Sequence, residues 1–368
     1  MPSVVHQLRL FRSATDVAVP RVQTARLKNG TRRSFLRRHP DDAQTLRHSF
    51  QAAFLLLNLW IGARFYLWVR YYETAGATSY VDRPPGVEGW LPIAALMNLK
   101  YWLMTGLVPD VHAAGMFLLV AFLAISVLFR KAFCSWLCPL GTLSEWLWQG
   151  GREMLGRTLA LPRWADVPLR GLKYILLSLF AYVVVTMPPI EIRRFLDSPY
   201  GLIADVKMLD FFRDMGQPTA IVIVVLVVSS LVVKNAWCRY LCPYGALMGL
   251  ASLVAPARIR RDASACIDCG KCTRACPSLL PVAKLASVKS PECTGCLECV
   301  TACPSTGALR LGVGRRTTLQ PWVVAAGIAA VFLLIVGYAQ AAGHWHTTVP
   351  DDVLFRLIPN AGEFGHPR

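Results

Sequence analysis

LFRKAFCSWLCPLGTL, residues 128–143, returns further along the chain as VVKNAWCRYLCPYGAL, residues 232–247. Each copy follows an apolar run (113–129 and 218–233), carries basic residues just past that run, and then reads Cys-x3-Cys-Pro-x-Gly. A bilayer core of about 30 Å takes roughly 20 helical residues, and both runs come close to that length. The repetition reads as an internal duplication of one unit, an apolar helix with a cysteine motif at its end. A chain built around such a unit is expected to be an α-helical membrane protein.

Composition agrees. Of 368 residues 54% are hydrophobic and only 17% charged, with a mean hydropathy of +0.42, too apolar for a soluble domain of this size. Five segments could span a bilayer: 50–72, 113–129, 172–188, 218–233 and 321–341. A sixth stretch, 90–106, carries Pro92, Asn98 and Lys100 and reads better as an interfacial or re-entrant helix. With the N-terminus inside, the inner segments hold 29 Lys/Arg and 10 Asp/Glu, and the outer ones 8 and 12. That is the positive-inside bias, so the net charge of +17 is mostly topology. No basic patch interleaved with aromatics points to nucleic acid. Residues 1–49 are polar and basic and are expected to form a cytoplasmic tail with little stable structure. Within them TRRSFLR (31–37) resembles a twin-arginine export motif, but the apolar run starts only near residue 50, and a basic tail is the preferred reading.

All 12 cysteines fall in tight groups, the pattern of metal ligation rather than of a disulfide scaffold. Residues 266–277 read CIDCGKCTRACP and 293–304 read CTGCLECVTACP. Each is C-x2-C-x2-C-x3-C-P, the spacing that wraps a 4Fe–4S cluster, with the fourth cysteine serving the other cluster of a pair. One cluster is therefore assigned to Cys266, Cys269, Cys272 and Cys303, and the second to Cys293, Cys296, Cys299 and Cys276. The fourth cysteine is expected to open a helix, with proline in its first turn. Zinc also takes four cysteines, but two full copies of this spacing, each closed by proline, favour iron–sulfur. Strands at 257–260 and 308–312 would frame a small α+β two-cluster ferredoxin-like domain. The expected organisation is a tail (1–49), a membrane domain with four spans and both C-x3-C-P motifs (50–257), the ferredoxin domain (258–312), a fifth span (313–342) and a periplasmic tail (343–368).

Cys134, Cys138, Cys238 and Cys242 remain. Residues i and i+4 share a helix face, and Pro139 and Pro243 disfavour helix at the residue before them, so the second cysteine of each pair should mark the end of the membrane helix. Three readings stand open: a third metal site or cluster shared by the repeats, a redox-active thiol pair or transient site for a soft metal such as copper, and a structural or partner-docking role. The seven histidines lie outside the spans, which argues against a bis-His haem. GVGRR (312–316) lacks a dinucleotide fingerprint. His344-Trp345-His346 reads as an interfacial anchor. Asn58 and Arg64, inside the first span, need polar company, either a quinone site or helix–helix hydrogen bonds.

Several spans, two C-x3-C-P motifs and a two-cluster insert together resemble the membrane polyferredoxin family, with its NapH-type, NosR-type and YccM-type branches. The stretch RPPGVEGWLPI (83–93) and the tail GHWH (343–346), LIP (357–359) and GHP (365–367) look most like the YccM branch. The resemblance covers about residues 40–368. It implies an inner-membrane iron–sulfur electron carrier, a candidate quinol dehydrogenase component rather than a stand-alone enzyme. Such a carrier would pass electrons between the quinone pool or a cytoplasmic donor and a periplasmic acceptor or another membrane redox subunit. The copper-oxidase assembly factor FixG/CcoG looks similar in its ferredoxin part, so a cupric-reductase role is an alternative, and a redox-sensing regulator a further one. The chain is too short for the flavin domain of NosR, and it lacks the extra C-terminal domain of FixG/CcoG, which turns the expectation away from copper.

Overall fold

The computed structural model describes residues 43–156, 158–314 and 317–366. The 31–37 stretch, most of the expected tail and the end of the 312–316 run lie outside the described residues.

Helix α1 (Ala43–Glu73) starts seven residues before the expected span. The last residues of the supposed tail are therefore folded, because Arg47 and Gln51, one turn apart, turn a polar face to buried partners. Helix α2 (Pro92–Thr105) realises the 90–106 stretch in 14 residues, closed by Gly106 at φ 74°. Its polar residues cap neighbours: Asn98 donates to the carbonyls of Val111 and His112, both at 2.9 Å, and Lys100 to those of Val184, Val185 and Met187. Helix α3 (Ala113–Phe129) stops at Arg130, whose φ is +67°. A short α4 (Ala132–Trp136) then leads to α5 (Pro139–Leu155). Helix α6 (Arg163–Thr186) is followed by α7 (Pro189–Leu196), α8 (Pro199–Leu202) and α9 (Ala204–Arg213). Helix α10 (Gln217–Val232) leaves α9 at 81°. After a wide turn, Trp237–Leu241, comes α11 (Pro243–Ala251). The cysteine-rich region holds β1 (Ala257–Arg261), α12 (Lys271–Ala275), α13 (Glu298–Thr301), β2 (Leu309–Val313) and β3 (Thr317–Thr318). Helices α14 (Pro321–Ala341) and α15 (Asp351–Leu357) complete the described elements.

Among the described residues three helices are long and apolar enough to cross a membrane, those at Ala43–Glu73, Trp164–Thr186 and Pro321–Ala341. The bent α9–α10 pair makes a fourth if counted as one span. Helix α3 has 17 residues and no charge, the short end of the spanning range.

The chain divides into two compact units. One comprises residues up to 51, then 126–174 and 224–325, and contains all twelve cysteines. Its sheet is antiparallel in the order β1-β2-β3, with Ile259 opposite Leu311 and Arg261 opposite Leu309. Ala257, Ile259, Leu309 and Leu311 alternate inward, so the two strands expected from the sequence close the two ends of the cysteine-rich segment on each other.

The other unit comprises 52–125, 175–223 and residues from 326 on. Its core joins Phe65, Trp68, Val69 and Tyr72 of α1 to Ile203 and Val206, to Leu354 and Leu357 of α15, and to Ile358 just after it. The expected periplasmic tail is therefore in part a packed helix. Tyr72 also donates to Asp351 at 2.8 Å. A buried polar staple holds the loop before α2. Arg83 bridges Glu88 at 2.8 Å and Asp205 at 2.7 Å, and Glu88 also accepts from Thr347 and the amide of Gly115. His112 Nε2 lies 2.8 Å from the Gly201 carbonyl and Nδ1 lies 3.6 Å from Glu88. Burial alone would hold the ring neutral, but the nearby Glu88 carboxylate raises it above its ordinary value. Asn58 accepts from the Trp90 indole at 3.1 Å and donates to the Phe54 carbonyl, the helix-packing role rather than a ligand site. Arg64 lies over the Trp60 ring, 5.2 Å from its centroid.

Candidate metal centres

The two C-x2-C-x2-C runs trace one backbone path twice. The second spacer residue of each first pair has positive φ, Asp268 at 52° and Gly295 at 65°, and so does the residue after the second cysteine, Gly270 at 68° and Leu297 at 62°. Two left-handed residues in each run curl the chain into a cup, and α12 and α13 begin directly after them. At Gly295 the glycine is required: a Cβ would press on the Phe129 carbonyl at 3.0 Å as well as adopt a strained φ.

The fourth cysteine does not open a helix. Cys276 caps the end of α12 in an extended conformation, with ψ 119°, and Cys303 lies two residues past the end of α13. The proline after each disfavours helix at the residue before it, so the helix must end before the cysteine.

The fourth cysteines cross over. Cys266, Cys269, Cys272 and Cys303 line one cavity, with Ile267, Gly270 and Ser305 at its wall. Cys276, Cys293, Cys296 and Cys299 line a second cavity. A tetrahedral zinc about 2.3 Å from each sulfur would draw its thiolates to roughly 3.8 Å from one another. Among the described residues the one trio of His, Cys or carboxylate ligand atoms within 4.8 Å of one another is His48, Glu145 and Glu298, which includes no thiol. Each cysteine set is thus spread wider than a single zinc needs, and the donor set fits a cuboidal iron–sulfur core. The His48 trio is itself occupied by a cation, since Arg47 Nη2 lies 2.5 Å from Glu145, 3.0 Å from Glu298 and 3.2 Å from His48. Burial pushes the Cys276 thiol up to about 11 and that of Cys296 up to about 12. These side chains therefore become thiolates only when a metal centre displaces their protons.

The C-x3-C turns are duplicated in structure as in sequence. Neither is the end of the apolar helix, as the i, i+4 spacing had implied. The helix stops earlier, at Phe129 and at Val232, because the reversals at Arg130 and Asn235 (φ 50°) break it. Each motif is then a separate wide turn closed by the same i→i−5 hydrogen bond, Cys138 N to Phe133 O at 2.9 Å and Cys242 N to Trp237 O at 3.1 Å. Cys138 and Cys242 sit at the N-caps of α5 and α11, each followed by proline. Gly245 N donates to Cys242 Sγ at 3.2 Å, and amides of Gly141 and Leu140 donate to Cys138. The two turns meet: the Phe133 and Tyr244 rings pack edge to face 5.9 Å apart, and Cys238 is raised first by burial and then by its Cys242, Cys138 and Cys134 neighbours. Eight of the twelve cysteines line the two cavities, and the other four lie in these two turns.

The sequence reading missed the charged residues around these groups. Glu145 takes a bidentate grip from Arg47 at 2.5 and 2.7 Å, and Gln51 donates to it at 2.9 Å. Arg47 and Gln51 also donate to the Ser135 carbonyl inside the first C-x3-C turn. Glu292, beside Cys293, accepts from Lys173 at 2.5 Å and Tyr174 at 2.9 Å. No local signal could have revealed pairs that join residues 94 to 119 apart. The one hint was the charge of Lys131 and Lys173, read there only as topology.

A family model described as a 4Fe-4S binding domain matches twice, at residues 111–159 and 215–261, and one described as a 4Fe-4S dicluster domain matches residues 258–304. The first pair of matches contains both C-x3-C-P motifs, in agreement with an internal duplication. YccM of Escherichia coli (strain K12), named for electron transport, is 52% identical over 331 residues, 88% of this chain and 93% of that protein. The methylamine utilization ferredoxin-type protein MauN of Methylorubrum extorquens is 30% identical over 203 residues, 52% of this chain and 62% of that protein. The ferredoxin-type protein NapH of Escherichia coli is 26% identical over 144 residues, 38% of this chain and 46% of that protein. No solved structure matches.

Proposed function

Since the chain belongs to the ferredoxin-type 4Fe–4S electron transport family that includes YccM, we propose that it is a membrane electron relay with two 4Fe–4S clusters. One is held by Cys266, Cys269, Cys272 and Cys303, the other by Cys293, Cys296, Cys299 and Cys276. The observation that carries the reading is the crossover, in which each fourth cysteine lines the cavity formed by the other run. Each cluster, when bound, supplies a one-electron redox couple.

The chain's own residues set the order of the relay. Cys266 and Cys269 are half-buried beside the exposed Ile267, so that end meets a soluble partner. Cys276, Cys293 and Cys299 are buried, and the Cys296 carbonyl accepts from Gln44 at the start of α1, so this end faces the membrane part. Five spans, with α3 and α10 as the short ones, put both C-x3-C-P turns and the ferredoxin domain on the cytoplasmic side of an inner membrane. The partners are a cytoplasmic electron-transfer protein on one side and a quinone or a second membrane redox subunit on the other.

Purified protein should hold at least two clusters' worth of iron and acid-labile sulfide, and reduced samples should give the EPR spectrum of two interacting 4Fe–4S centres. Zinc in place of iron would overturn the reading.

A further inference from the structure

Four thiols lie outside the two-cluster assignment, and the charges around them do not balance. Lys131 and Lys173, both buried, share the single carboxylate of Glu292. Arg130, fully buried beside Lys131, donates to the carbonyls of Ser252 and Ser290 and has no carboxylate partner among the described residues. Alongside, Arg239 and Arg170 share Asp166. Cations outnumber carboxylates in this interior, a costly arrangement unless another anion completes it.

The surplus points at the thiols. Lys131 Nζ makes no hydrogen bond among the described residues, and a methyl placed on Gly245 would touch both Lys131 Nζ and Cys242 Sγ, each at 3.5 Å. Cys134, Cys242 and Cys238 are among the groups nearest its charge. Two helix N-termini, those of α5 and α11, also turn amides onto Cys138 and Cys242. Four neutral thiols would leave all this positive character unanswered. Four thiolates around a metal–sulfur core answer it, because such a centre carries net negative charge. The repeats are not equivalent here, since Asn235 stands where the first has Lys131.

We propose that Cys134, Cys138, Cys238 and Cys242 hold a third iron–sulfur cluster, and that the buried Lys131 ammonium compensates its charge and sets its potential. The proposal rests on the reading of the chain as an iron–sulfur protein. As a one-electron centre joined to neither ferredoxin cavity, this site lengthens the relay at the end nearer the membrane helices. Lys131 is a positioning residue, since it ligates nothing.

The test compares wild type with Cys134→Ser/Cys238→Ser and with Lys131→Met, using iron and sulfide content and redox-poised EPR. The double variant should lose about one third of the iron, four atoms in twelve, while the coupled ferredoxin signals persist and report that the chain is folded. Lys131→Met should move the midpoint of one centre to a more negative value and leave the other two unmoved, and Lys131→Arg should restore it. Unchanged iron in the double variant, copper instead of iron at these cysteines, or a Lys131→Met shift common to all centres would overturn the proposal. Absence of the ferredoxin signals from wild type would instead overturn the two-cluster reading.

Discussion

Glu145 shows what one buried side chain settles. Burial would raise its carboxyl, but Arg47, His48 and Gln51 hold it at about 2, against an ordinary 4.5. A lowered folded value means the stabilisation is present above about pH 4.5 and is lost as pH falls toward 2. His112 has the opposite sign. Burial would lower it, but Glu88 and Asp205 raise it above 6.5, so its contribution is complete below that value and is lost as pH rises through the folded one. Thermal unfolding in detergent should therefore weaken on both limbs. Glu145→Gln leaves the buried Arg47 with Glu298 as its remaining carboxylate, so it should cost about 1–3 kcal/mol near neutrality and flatten the acid limb. An unchanged acid limb would remove Glu145 from this role. At this scale the cysteines were legible, because ligand spacing is written in a few consecutive residues. Arg47–Glu145 and Lys173–Glu292 were not, since they join residues 98 and 119 apart.

The duplicated turn makes its own prediction at the level of the element. In the first repeat a Cβ on Gly141 would run into the Cys134 carbonyl, whereas in the second Gly245 has only ordinary contacts at 3.5 Å or beyond. Gly141→Ala should therefore destabilise by about 1–3 kcal/mol and disturb Cys134. Gly245→Ala, in the same helical position, should be neutral or stabilise by about 0.5–1 kcal/mol. Equal unfolding midpoints for the two variants would contradict the asymmetry. The elements themselves were largely readable: α3, α10 and α14 stand close to their apolar runs, and β1 and β2 lie within a residue of the expected strands. The breaks were not. Nothing in hydropathy marks a left-handed Arg130 or Asn235, and those two reversals convert an apparent helix end into a separate wide turn. That each fourth cysteine lies past its helix followed from the proline after it and could have been read correctly.

Over the whole chain, charge and cysteine content divide the two units. One holds every cysteine; the other holds none and is stapled by Arg83, Glu88, Asp205 and His112. The segments read as outward carry more acidic than basic residues and those read as inward the reverse, and under the proposed topology the cysteine-bearing unit is the cytoplasmic one. A membrane-impermeant maleimide applied to spheroplasts should label Ser79→Cys, in an exposed loop, and reach Ala263→Cys only after lysis. The reverse pattern would invert the topology. The sequence carried no sign of how the second unit is tied, because Arg83 and Asp205 meet from 122 residues apart.

The docking of α15 on α1 also bears on the order of synthesis. Trp68 and Tyr72 leave the ribosome long before Leu354, Leu357 and Ile358, the residues that cover them. Gln44 likewise waits for Cys296, 252 positions later. Both ends of α1 thus stay uncapped through most of translation, one until Cys296 is made and the other until α15 is.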